Sequence, residues 1–103
     1  MRIYMTLELK HDEFKKYVLS VKKSTNDIQY IFKFDNDYGA SVIKNLYSYG
    51  HERDLWELAV IWFSDEYEWD LCYDTEITNY VIGHLTDEAV CTWLERIKNL
   101  KED

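Results

Sequence analysis

Apolar and polar residues alternate along much of this chain, and where they do the sequence predicts strands. From Met1 to Leu9, the residues Ile3, Met5, Leu7 and Leu9 fall on one side and Arg2, Tyr4, Thr6 and Glu8 on the other, the period of two that a half-buried strand requires. Between Asp12 and Lys23 the period lengthens. Phe14, Tyr17, Val18 and Val21 recur at helical spacing while Lys15, Lys16, Lys22 and Lys23 lie off that stripe, which predicts an amphipathic helix ended by a turn at Ser24 to Asp27. Alternation then returns. Ile28, Tyr30, Phe32 and Phe34 alternate with Gln29, Ile31, Lys33 and Asp35, and the cluster Asp35-Asn36-Asp37-Tyr38-Gly39 reads as a turn, because Asn, Asp and Gly tolerate positive φ.

A second strand of this series is expected at about Ala40 to Asn45. After a loop containing Gly50, Leu55 to Phe63 reads as the central strand, since it is apolar on both faces in its second half. A turn at Ser64 to Tyr67 leads to a further strand with Trp69, Leu71 and Tyr73 inward and Glu68, Asp70, Cys72 and Asp74 outward. Thr75 to Ile82 reads as one or two helical turns ended by Gly83. The last helix has the clearest signals: Thr86 as its cap, Asp87 and Glu88 in the first turn, Leu85 placed to staple against Val90, and a buried stripe of Val90, Trp93, Leu94, Ile97 and Leu100. The pattern predicts an α+β fold, an antiparallel four-stranded meander sheet flanked by an N-terminal and a C-terminal helix.

The length of 103 residues fits a single domain over residues 1–103. Nine Tyr, four Trp and four Phe supply enough large side chains for one core. Cys72 and Cys91 form no CxxC pair and no dense framework, so they read as reduced thiols. Glu8 and Lys10 interrupt the apolar run that a signal peptide needs, and no stretch approaches the ~20 apolar residues of a membrane span. The expectation is a cytoplasmic protein that does not associate with membranes.

Net charge is −8, unevenly spread. Met1 to His51 holds six acidic and eight basic residues, whereas Glu52 to Asp103 holds fourteen acidic and four basic. Between Arg53 and Arg96 there is no Lys or Arg at all. Direct nucleic-acid binding is therefore not expected, because it rests on neutralising phosphates with Lys and Arg.

Catalytic patterns are missing. No GxSxG or related context surrounds a Ser or Cys, His11, His51 and His84 are scattered, and Glu8-Leu9-Lys10 has the Glu-x-Lys half of a metal-dependent nuclease motif without a preceding Asp. The sequence reads as a non-enzyme with no cofactor. Cys72, His84 and Cys91, with His51 or Asp74, would suffice for tetrahedral zinc if the fold gathered them, but no pair has the close spacing of a structural site.

What stands out is the acidic segment. Glu66, Glu68, Asp70 and Asp74 are expected on one strand face at a repeat of ~6.6–6.8 Å. A row of unpaired carboxylates repels itself unless a partner compensates. The fitting partner is a basic groove that otherwise holds a polyanion, with Asp65, Glu66, Glu68, Asp70, Asp74 and Glu76 as the contact region. Carboxylates that keep an edge strand from aggregating would look the same in sequence. Tyr38, Tyr47, Tyr49, Tyr67 and Tyr80, in or beside turns, offer an alternative binding surface for another enzyme or for further copies of the chain.

The segments YGASV (Tyr38 to Val42), ELAV (Glu57 to Val60), LCYDTEIT (Leu71 to Thr78) and VIGHLTDEAV (Val81 to Val90) resemble a family of short phage and prophage proteins of unassigned function. The resemblance covers about Ile31 to Leu100; the family often has proline where this chain has Glu76. It carries over no catalytic residue. It implies the context of small acidic phage proteins, among which inhibitors of host defence nucleases, including anti-CRISPR proteins, are frequent. The expected partner is then a basic nucleic-acid-binding protein such as a Cas nuclease.

Overall fold

The computed structural model of the chain describes residues 8–46, 48, 51–72 and 81–101. A 3₁₀ turn at Asp12–Tyr17 leads into strands β1 (Val18–Ser24), β2 (Asp27–Lys33) and β3 (Tyr38–Asn45). A short 3₁₀ turn at His51–Arg53 precedes β4 (Trp56–Phe63), β5 (Trp69–Leu71) and β6 (Ile82–Leu85), and helix α1 (Asp87–Lys98) follows. All strand pairings are antiparallel, in the order β1-β2-β3-β4-β5. β6 also pairs with β4: β5 lies along Ile61–Phe63, and β6 along Trp56–Leu58.

The period of two places Ile28, Tyr30, Phe32, Ala40, Val42, Trp56, Leu58 and Val60 in one buried cluster with Leu85 of β6 and with Val90, Leu94, Ile97 and Leu100 of the helical segment. A smaller cluster of Ile31, Ile61 and Phe63, with Leu19 and Trp69 against it, occupies the other face. Lys44 is buried on the helix-bearing side. Its ammonium lies 4.2 Å from the centre of the Trp56 ring and 3.0 Å from Asp54 Oδ1, so its charge is met by a carboxylate and an aromatic face.

Two contacts fix the helix across the sheet. At its start, Thr86 Oγ1 accepts from the Ala89 N–H at 3.1 Å, and the indole N–H of buried Trp56 donates to Asp87 Oδ1 at 2.6 Å. At its end, Asn36 Nδ2 donates to the carbonyls of Ile97, Lys98 and Leu100 at 3.0, 3.1 and 2.9 Å. The Lys98 carbonyl is one that a helix end leaves without an intrahelical partner, and the Ile97 carbonyl also accepts from the Leu100 N–H at 3.1 Å. α1 therefore runs from the start of β4 to the β2–β3 turn; Trp62, on the helix-bearing face by its parity with Val60, is 42% exposed.

Several expectations are corrected. The sheet has six strands and the described chain a single α-helix, in place of a four-stranded meander between two helices. The helix expected over Asp12 to Lys23 stops as a 3₁₀ turn at Tyr17, and Val18–Ser24 forms β1. Phe14 is buried as the helical stripe required, but Val21 is 48% exposed; pairing along β2 satisfies the backbone of a segment whose valines are β-branched. The strand expected at Met1 to Leu9 lies mostly outside the described residues, and Glu8, Leu9 and Lys10 are not in a strand.

β5 meets its expectation in part: Trp69 packs against the smaller cluster and Asp70 is exposed, whereas Leu71 is 44% exposed and Cys72 turns inward. Phe63 pairs with Trp69 and Ile61 with Leu71, which puts both on the face away from the helix, while Cys72 packs against the main core. Of the helical turns expected at Thr75 to Ile82, residues up to Tyr80 are outside the described set. Ile82 and Gly83 belong to β6, where the free half-edge of β4 supplies a ladder. Gly39 also differs: it sits inside β3, and Asp37 takes the positive φ of the turn, 67°. The glycine answers to crowding, because a Cβ there would stand 1.9 Å from the Phe32 carbonyl oxygen and 2.9 Å from the Phe63 ring.

Candidate functional site

The acidic residues gather at the hairpin joining β4 to β5. Ser64 N–H donates to the Glu68 carbonyl at 3.0 Å, closing a loop between the paired residues Phe63 and Trp69. Inside it the Asp65 carboxylate accepts from the Tyr67 and Glu68 N–H groups, both at 2.8 Å. Asp is well suited to this because its short side chain reaches its own backbone two residues on. Those two hydrogen bonds, with a smaller contribution from Lys33, hold the Asp65 carboxyl below the ordinary aspartate value although the group is fully exposed.

Glu66 and Glu68 are exposed in the loop, Asp70 is exposed in β5, and Tyr67 is 72% exposed. No described Lys or Arg stands within ion-pairing distance of Glu66, Glu68 or Asp70. The row expected on one strand face is thus replaced by a cluster, with Asp65, Glu66 and Glu68 in the turn and only Asp70 in a strand. Asp74 and Glu76 lie outside the described residues.

Reasoning from sequence missed Trp62. It is the direct cross-strand partner of Asp70, with Tyr38 on its other side in β3. The signal was present in the spacing, since a five-residue loop after Phe63 sets position 62 opposite position 70. Among the turn tyrosines, Tyr38 is half-buried and Tyr67 exposed; Tyr47, Tyr49 and Tyr80 are outside the described residues.

The thiols and histidines are arranged otherwise than a zinc site requires. Among the described residues no three His, Cys, Asp or Glu side chains converge to hold a metal ion. Cys72 is packed against the main core, His84 is exposed in β6 at φ 59°, and Cys91 Sγ donates to the Lys10 carbonyl at 3.3 Å. The His51 side chain and Asp74 are not among the groups described. Cys91 opens onto an open groove of about 980 Å³ beside α1, lined in part by Lys10, Glu13, Asp87 and Arg96. Partial burial, and then the carboxylates of Glu13 and Asp87, push its thiol pKa up, which disfavours the nucleophilic thiolate. No helix among the described residues is long and apolar enough to cross a membrane.

Comparison of the chain with protein-family models, with curated proteins and with solved structures finds no match.

Proposed function

We propose that the chain acts by binding and not by catalysis, presenting the β4–β5 hairpin to a basic groove on another protein, one that otherwise holds nucleic acid. The observation that carries this reading is the concentration of exposed carboxylates, Asp65, Glu66, Glu68 and Asp70, on one hairpin whose turn is braced by Asp65, the other three having no described basic partner within ion-pairing distance. Such a surface is held in shape before binding, which reduces the ordering cost of association, and its mutual repulsion is relieved when a partner supplies Lys and Arg. Asp74 and Glu76 belong to the contact region on their sequence position. With the resemblance to short phage and prophage proteins, the reading becomes inhibition of a host defence nuclease of the CRISPR–Cas kind.

The test is co-purification of the tagged protein from lysate of a host with an active CRISPR–Cas system, washed at low and at high salt. A basic nuclease is expected to be retained at low salt and lost at high salt, and the double variant Glu68→Lys, Asp70→Lys should neither retain nor inhibit it. Undiminished inhibition by that folded variant would overturn the reading. Retention of a different enzyme through both washes would move the site to the tyrosine-bearing turns, of which Tyr67 is the exposed described member.

A further inference from the structure

The acidic hairpin explains attraction to a positive surface but not which cation the surface should carry. Trp62 and Asp70 answer that more specific question. They are direct partners across β4 and β5 and share the helix-bearing face, where both are exposed. Directly opposite residues in an antiparallel pair hold their Cβ atoms about 4.5–5.5 Å apart, so the indole and the carboxylate are close enough to touch one planar group at the same time.

The protein's other described cation contacts on tryptophan show the same chemistry satisfied internally. Lys44 lies over Trp56 while pairing with Asp54, and the Arg96 guanidinium lies 4.5 Å from the centre of the Trp93 ring. Trp62 is more exposed than either, and among the described residues no cation lies over it and none pairs with Asp70. An exposed indole beside an unpaired carboxylate attracts a cation through the ring quadrupole and the charge together.

Resting on the proposed binding function, we infer that Trp62 and Asp70 form a receptor for an arginine side chain of the partner, the guanidinium lying on the indole and donating to the carboxylate. Arginine fits better than lysine for two physical reasons. Its guanidinium is planar and weakly hydrated, so stacking costs it little water, and its fork of N–H donors can meet a carboxylate while the plane stays on the ring. An ammonium is a compact and strongly hydrated charge. The rest of the hairpin then supplies attraction that is blind to the kind of cation, and this pair supplies the discrimination.

Isothermal titration calorimetry of the full chain with nona-arginine and with nona-lysine, at equal low salt, separates the two contributions. The arginine peptide is expected to bind about three- to tenfold tighter. In Trp62→Leu, which keeps apolar bulk but removes the aromatic face, that ratio should fall to about one, and Asp70→Asn should reduce it while thermal unfolding shows both variants folded. Equal binding of the two peptides to the parent chain, or a preference that survives in Trp62→Leu, would overturn the arginine receptor and leave the acidic-hairpin reading standing. Failure of both peptides to bind would overturn both.

Discussion

The side-chain amide of Asn36 donates to the main-chain carbonyl of Leu100 at 2.9 Å, across 64 positions of sequence. The same nitrogen reaches the carbonyls of Ile97 and Lys98, and Asn36 Oδ1 accepts from the Tyr38 N–H at 3.0 Å. One turn side chain thus ends the helix and shapes the β2–β3 hairpin together. Asn36→Ala is expected to lower stability by about 1–3 kcal/mol, since part-buried carbonyls lose their donor. Asn36→Asp should cost more, because a carboxylate would face those carbonyls. Urea titration of the three proteins checks the order.

Asp37 and Gly39 should respond in opposite ways to changes in side-chain size. Asp37→Gly removes a side chain from a residue at φ 67° and should alter stability by no more than about 0.5 kcal/mol. Gly39→Ala drives a methyl to 1.9 Å from the Phe32 carbonyl oxygen in a paired strand. A loss of about 1–3 kcal/mol is expected from that overpacking. Thermal unfolding of each variant decides whether the glycine serves the turn or the close approach.

Asp65 links the candidate site to pH. Its folded pKa is lowered by the Tyr67 and Glu68 N–H groups, so its contribution to hairpin stability is present above the unfolded value of ~3.9 and is lost as pH falls through the folded pKa. The carboxyl carbon of Asp65, followed by NMR, should titrate below an ordinary aspartate. In Asp65→Ala the Tyr67 and Glu68 amides should exchange faster at pH 7, with the difference from the parent fading at acid pH.

Cys91 gives a second titration, opposite in sign. With its pKa raised by burial and by Glu13 and Asp87, the contribution linked to the neutral thiol is complete below the unfolded pKa and is lost as pH rises through the folded one. In a Cys72→Ser background at pH 8, Cys91 of the folded chain should react with iodoacetamide several-fold more slowly than the same chain in urea. Glu13→Gln should recover part of that rate.

The parts of this fold that were legible in sequence are those where one face is buried against a continuous neighbour. β2 alternates and β4 does so until it becomes apolar on both faces, and the helix carries its own cap, dipole complement and stripe. β1 was misread because Phe14, Tyr17, Val18 and Val21 satisfy a helical spacing over a segment too short to tell it from a strand. As an edge strand exposed along Val21–Ser24, it also lacks the alternation that burial imposes. β6 was missed because four residues completing another strand's edge have no periodic signal of their own. The acidic composition of the candidate site was plain, but its shape depends on hairpin register, and register also determines that Trp62 stands opposite Asp70. Asn36 looked like any turn residue; nothing local could reveal carbonyls more than sixty positions away.

The pairings from β1 to β4 all join neighbours in the chain, so that ladder can close in sequence order at small entropic cost. Its cover comes later, because the apolar face bearing Ile28, Phe32, Val42 and Leu58 is shielded by side chains from Leu85 to Leu100. During synthesis at ~5–20 residues per second, the interval between the end of β4 and the end of this cover lasts roughly 2–7 s. For that time a paired sheet with a greasy face is tethered to the ribosome, within reach of holdase chaperones and of its own neighbours on a polysome.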